Sequence, residues 1–327
     1  MDNPVTTAAA DAARQQQRRG LTLGLGTIVT DGYGGKNPEG FPALLRAAAA
    51  AGITDVDTAA VYGHGESERL LGRWMRELGL SFSICTKVGM VQEEGAGARV
   101  VRSATPESLL RQAEASLERL QVDRVDRLLL HHPDPQVPVR ASIEGLIACR
   151  EAGLAAKIGF SNLDDGIAAE LVKAGMVDVI QYPWSLLDSR RDAILRLAGE
   201  QGVERMVFGT LAFGILAGSV RRDTVFEADD WRGIARSGRD PGTTGAALFL
   251  GDTFGRAVDH AARFAALQGC AVADLAALTV AASLEVAPAE RVMVGCRSAE
   301  ELAGLAEGRA LTPDPAALAF AREMAVA

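Results

Sequence analysis

Short β-type runs alternate with longer helical runs along most of this chain, and that rhythm restricts the fold more than any other feature. Runs at residues 53–58, 82–88, 125–131, 156–161, 178–182, 205–211 and 291–294 read as strands. Residues 65–79 read as a helix with Leu70, Leu71, Trp74 and Leu78 on one face. Thr105 is an N-cap with Pro106 at the first helical position, opening a helix to about Leu120. Helices follow at 139–152 and 164–173, closed by Gly153 and Gly175, and at 188–199, 257–267, 272–286, 298–307 and 314–325. Repeated β-then-α units imply parallel strands, and about eight of them close into a barrel. Seven strands are clear, and a short piece near 308–311 is expected to supply the eighth. The expected fold is therefore α/β, a (β/α)8 TIM barrel forming one domain over residues 21–327, with long loops over its C-terminal mouth. A mobile arm, residues 1–20, precedes it. An open doubly wound sheet would need a G-x-G-x-x-G turn after its first strand. Gly24-Leu25-Gly26 begins one, but Val29 stands where the last glycine belongs.

Composition narrows the partners. The chain has 327 residues, 48% of them hydrophobic, and a net charge of −8. A net-acidic surface repels phosphate backbones, so nucleic acid is not an expected partner. Cys85, Cys149, Cys270 and Cys296 are far apart and read as reduced buried thiols, with no metal site. No apolar stretch is long enough to span a bilayer, and residues 1–20 lack the apolar core of a secretory signal. A cytoplasmic protein that does not engage membranes is the expectation.

In a parallel barrel the reactive groups sit where the strands end. Here the strand ends carry Asp57-Thr58, Thr86-Lys87, His131-His132 and Ser161-Asn162, and the fifth clear strand carries Gln181. Charged residues are rare in buried parallel strands. A structural Asp57–Lys87 salt bridge would account for that pair alone but not for His131 at the matching place on the next strand. Tyr62 follows Asp57 by five residues, in a loop over the mouth. A phenol titrates near 10, too high for a good acid at neutral pH. A neighbouring ammonium lowers that value, a carboxylate holds the ammonium charged, and an imidazole can orient a carbonyl. Together the four make a device for protonating a carbonyl oxygen whose carbon accepts hydride.

At this point the chain resembles the aldo-keto reductases. The resemblance rests on Asp57-Thr58-Ala59-Ala60-Val61-Tyr62-Gly63 with Glu66-Ser67-Glu68 and Leu71-Gly72. It continues through Thr86-Lys87, Asp126 to His131, Pro133-Asp134, Lys157-Ile158-Gly159-Phe160-Ser161-Asn162, Gln181 and Val294-Gly295-Cys296-Arg297-Ser298. It implies that Asp57, Tyr62, Lys87 and His131 form the catalytic tetrad. Ser161, Asn162 and Gln181 would hold the nicotinamide carboxamide, with Gly26 and Thr27 at an early cofactor turn. Phe208 stands where the family has a stacking tyrosine. Gly209-Thr210-Leu211 replaces Ser-Pro-Leu, placing Gly209 and Leu211 by the pyrophosphate with one hydroxyl fewer. Arg297 and Ser298 match the grip on an adenosine 2′-phosphate. NADPH is the implied cofactor, with NADH as the alternative because Glu300 and Glu301 follow closely and Arg297 can pair with one of them.

Other residues have plainer readings. His132 belongs to the rim, since adjacent strand residues face opposite sides. His64 reads as a solvated imidazole. Trp184 is the candidate for the substrate pocket, and Trp231 is either a lid residue or a loop anchor. The expected activity is NAD(P)H-dependent reduction of an aldehyde or ketone. The alternatives are an alcohol or sugar dehydrogenase and a cofactor-binding interaction protein resembling the potassium-channel β subunits. Substrate choice falls to loops 28–36, 89–102 and 219–251, whose charges (Glu93, Glu94, Arg99, Arg221, Arg222, Asp229 and Asp230) suit a small polar carbonyl compound. Oligomeric state is left open.

Overall fold

Eight parallel strands close into a barrel in the computed structural model, which describes residues 19–29, 36–93, 99–239 and 242–327. In chain order they are β1 (Gly20–Gly24), β2 (Asp55–Asp57) and β3 (Ser83–Val88), then, after a small antiparallel hairpin of β4 (Met90–Gln92) and β5 (Val100–Arg102), β6 (Val125–Leu130), β7 (Ala155–Ser161), β8 (Val179–Pro183), β9 (Glu204–Phe208) and β10 (Arg291–Gly295). Around the barrel they run β1-β10-β9-β8-β7-β6-β3-β2. The expected barrel is thus observed. Most of the arm expected over residues 1–20 lies outside the described residues.

The eighth strand is a correction. It is β1, which pairs with both β10 and β2: Leu23 stands opposite Val294 on one side and Val56 on the other. The stretch 308–311 is instead a turn closing the helix Ala299–Glu307, with Arg309 and Ala310 donating back to Ala306 and Glu307. A five-residue strand bounded by glycines at both ends carries too little alternation to stand out. One of its two partners, β10, lies at the far end of the chain.

Local signals account for much of the rest. The Thr105 hydroxyl accepts from Ser108 N at the start of helix Pro106–Leu120. Gly153 and Gly175 have φ of 81° and 65°, the left-handed conformation that ends a helix. Gly159 in β7 is needed for closeness: a Cβ there would lie 1.7 Å from the Val179 carbonyl oxygen of β8.

Inside the barrel, Cys85, Leu129, Val179, Met206 and Met293 form a buried cluster, with Phe208 packed on it. The N-terminal end is closed by charge. Arg127 lies 3.2 Å from Asp55 and 2.7 Å from Glu204, Arg291 reaches the same two acids, and Lys157 adds a contact to Glu204 at 2.7 Å. Burial works against the Glu204 carboxylate, but hydrogen bonds and charge from Arg127 and Lys157 outweigh it and pull its pKa down to about 2.

The stretch 219–251 has no sequence period, yet Phe226 and Trp231 within it both pack on Phe249. It contains the short helix Trp231–Arg236, N-capped by Asp230. Trp231 is 9% exposed, packed edge-on against Phe213 and Phe249, so it anchors the loop. Among the described residues no single helix is long and apolar enough to cross a membrane.

Candidate active site

The C-terminal ends of the strands bring most of the expected residues to one face. Asp57 ends β2, Lys87 is the penultimate residue of β3, His131 follows β6, Ser161 ends β7, Gln181 lies in β8 and Phe208 ends β9. Asp57 and Lys87 are 1% and 2% exposed. The Lys87 ammonium donates to Asp57 Oδ1 at 2.5 Å and to the Thr58 carbonyl at 2.8 Å. Burial opposes that charge, yet the Asp57 carboxylate overrides it and holds the ammonium above its ordinary range.

Tyr62 sits in the turn between β2 and helix Glu66–Leu78. Its ring centroid is 5.1 Å from Lys87 Nζ and 5.7 Å from the His131 ring, nearly perpendicular to it. Gly26 backs the ring: a Cβ there would lie 3.2 Å from Tyr62 Cε2. Tyr62, Lys87, Asp57 and His131 are therefore gathered at one point.

Strand alternation does not separate the two histidines, because both lie beyond the end of β6. Their rings stack at 5.2 Å, so His132 is the direct neighbour of His131. Burial, then the Lys87 cation, pushes His131 well below its ordinary value. Burial, then Arg102, lowers His132 from 6.5 to about 4. Both rings are thus neutral in the fold at pH values where the unfolded chain would protonate them, so stability falls as pH falls from about 6.5 towards 4. The expected result is a Tm that drops across that window, with a shallower drop in His132→Asn. Parallel curves for the two proteins would refute this.

Asn162 has φ 62° and donates its amide to the His131 carbonyl at 3.1 Å and to Ser161 Oγ at 2.9 Å. Its Oδ1, like Nδ1 of His131, is buried with no hydrogen-bond partner. Gln181, 1% exposed, donates from Nε2 to Asp57 Oδ2 at 2.7 Å. Gly209 follows Phe208 with φ 72°, a conformation that suits glycine. Next to it the Thr210 hydroxyl is buried, donating to the Met293 carbonyl, and Leu211 packs on the core. Thr27 Oγ1 donates to the Cys296 carbonyl at 3.1 Å and ties the turn after β1 to the turn after β10.

Two expectations come out differently, and at Arg297 the pairing raised as an alternative is present. Trp184 is only 5% exposed and its indole donates to Asp192 at 2.8 Å, so it is held in the core rather than presented to a substrate. Arg297 pairs with Glu301 at 3.0 Å, and Ser298 Oγ accepts from Glu301 N as the cap of helix Ala299–Glu307. The charges expected to face a polar substrate are partly structural: Asp230 pairs with Arg232, and Arg222 with Asp259. Glu94 lies outside the described residues.

Two contributors were given no individual role by the sequence. Glu68 is fully buried, accepting from Thr86 Oγ1 at 2.5 Å and Arg119 Nε at 2.6 Å, which ties its helix to β3 beside Lys87. An acid on the same helical stripe as Leu71 and Gly72 was the available signal. Asn37 holds the Arg297 carbonyl at 2.8 Å, and nothing local announces that contact.

The aldo/keto reductase family model matches residues 22–315. The aldo-keto reductase YhdN of Bacillus subtilis is 30% identical over 231 residues, covering 69% of this chain and 68% of that protein. The NADH-specific methylglyoxal reductase of Escherichia coli is 29% identical over 186 residues, 53% of this chain and 57% of that one. A solved glycerol dehydrogenase from Gluconobacter oxydans matches with a TM-score of 0.78 at 25% identity, over 93% of this chain and 90% of that one.

Proposed function

The chain belongs to the aldo/keto reductase family and is an NAD(P)H-dependent oxidoreductase, and on that premise we propose that one barrel domain, residues 21–327, reduces an aldehyde or ketone with Tyr62 as general acid. The observation that carries this reading is the buried Asp57–Lys87 pair with the Tyr62 and His131 rings set against it.

The residues present suit a nicotinamide cofactor. Asn162 Oδ1 is a buried acceptor lacking a donor, as a carboxamide N–H would supply. Ser161, Asn162 and Gln181 would hold that carboxamide, the Phe208 face would pack on the ring, and Gly26, Thr27, Gly209 and Leu211 would line the path of the pyrophosphate. When bound, the reduced nicotinamide supplies hydride to the carbonyl carbon.

The protein's own part is proton transfer and positioning. Tyr62 gives its phenolic proton to the carbonyl oxygen as that oxygen gains charge. Lys87, kept charged by Asp57, stabilises the phenolate left behind, which water then reprotonates. Neutral His131 has one ring N–H with which to orient the carbonyl. In reverse the same groups oxidise an alcohol, and the similarity to a glycerol dehydrogenase favours that second reading.

We assign NADPH as the reductant, with Arg297 and Ser298 on the 2′-phosphate. Arg297 and Glu301 are 40% and 42% exposed, and such an ion pair contributes at most about 1 kcal/mol, so a phosphate can displace it. The same pair is the observation favouring NADH. A carbonyl panel assayed with each cofactor tests both points. Turnover is expected with NADPH preferred, and Arg297→Ala should lower kcat/KM for NADPH at least ~10-fold while sparing NADH. A parent that prefers NADH overturns the cofactor assignment, and no turnover in either direction overturns the activity.

A further inference from the structure

We infer that Gln181 is a positioning residue for the proton relay: its amide N–H holds Asp57 while its carbonyl end serves the cofactor, so one side chain joins the two. The inference rests on the reading of the mouth as a nicotinamide site. Its foundation is a contact across the bore of the barrel. Gln181 lies in β8 and Asp57 in β2, four strands apart in either direction around the eight-stranded ring. Both are 1% exposed, and they meet at 2.7 Å.

A carboxylate only accepts hydrogen bonds, so the NH2 end of the Gln181 amide must face Asp57 and the carbonyl end is left for another partner. Asp57 is thereby held at both oxygens, Oδ1 by the Lys87 ammonium and Oδ2 by Gln181. The two donors share one negative charge. If Gln181 withdraws, the whole charge falls on Lys87, and the ammonium is more fully neutralised as Tyr62 experiences it. The phenol then becomes a weaker acid. If the Gln181 carbonyl instead accepts a bond from the nicotinamide carboxamide, the amide is polarised and its N–H donates more strongly. Asp57 is drawn from Lys87, and Tyr62 becomes a stronger acid. Filling the cofactor site thus readies the proton donor.

The test is Gln181→Met, which keeps the length of the side chain and removes both polar ends. In the cofactor-free protein, phenolate absorbance is titrated in the Gln181 and Tyr62→Phe backgrounds, so that the difference isolates Tyr62. The chain has three tyrosines, and burial pushes the Tyr182 phenol up and out of the way. Gln181→Met is expected to raise the Tyr62 titration by about half to one pH unit. At saturating cofactor, kcat should fall roughly 10-fold, and that fall should vanish in an Asp57→Asn background. Gln181→Glu carries the test should Gln181→Met not fold: a second carboxylate beside Asp57 should add a new ionisation to the pH profile of kcat. An unmoved Tyr62 titration with additive kcat losses overturns the proposal. Cofactor affinity is scored separately: unchanged affinity in Gln181→Met removes Gln181 from the cofactor site, and with it the coupling, whatever the phenol titration does.

Discussion

Replacing Tyr62 with phenylalanine is expected to lower kcat by ~10²–10⁴-fold while leaving cofactor affinity nearly intact. The ring remains, so its packing against Gly26 and His131 is preserved, and only the proton is lost. Steady-state kinetics with a cofactor-binding titration separates the two effects. A kcat within about threefold of the parent would remove Tyr62 from the general-acid role. Lys87→Met should be comparably slow but is a less clean probe. It leaves the buried Asp57 carboxylate without its counter-charge, and stranding such a charge costs about 3–5 kcal/mol. The double variant Asp57→Asn/Lys87→Met removes both charges and should recover stability without recovering turnover.

A second large loss of stability is expected from one methyl group. In Gly159→Ala the new Cβ would lie 1.7 Å from the carbonyl oxygen of Val179 and 2.7 Å from its carbon. Those atoms are backbone of the neighbouring strand, paired in register with Gly159 itself, so no side chain can swing aside. β7 and β8 must part locally, at a cost of at least about 3 kcal/mol against a total of roughly 5–15. The Tm should fall by at least about 4 °C. Ser161 ends the same strand and Asn162 follows it, so the folded fraction should also bind cofactor less tightly. A Tm within about 2 °C of the parent would mean that the strands separate more readily than their register implies.

What could be read from the sequence follows from how local each signal is. Seven strands and the Thr105 cap rest on residues within a turn or two of each other. The candidate relay could be read because Asp57, Lys87 and His131 lie at the ends of three strands and Tyr62 in the turn that follows Asp57. β1 escaped because it is short, bounded by glycines, and has one of its two neighbours, β10, at the far end of the chain. The Trp184 indole is fixed by Asp192 in the next helix, and the choice of Arg297 between Glu301 and a phosphate is a matter of energy rather than spacing. The contact of Gln181 with Asp57 joins residues that no periodicity relates.

The position of β1 between β10 and β2 has a consequence for synthesis. Until β10 is made, any sheet formed by the barrel strands from β1 to β9 would be open, with unpaired backbone groups on β1 and β9 at its margins. Only when Arg291–Gly295 emerges can both margins be sealed at once, since β10 pairs with β1 on one side and β9 on the other. Until then the nascent chain presents two strand edges able to recruit another polypeptide. Damage to β10 would therefore be felt as aggregation of newly made chains.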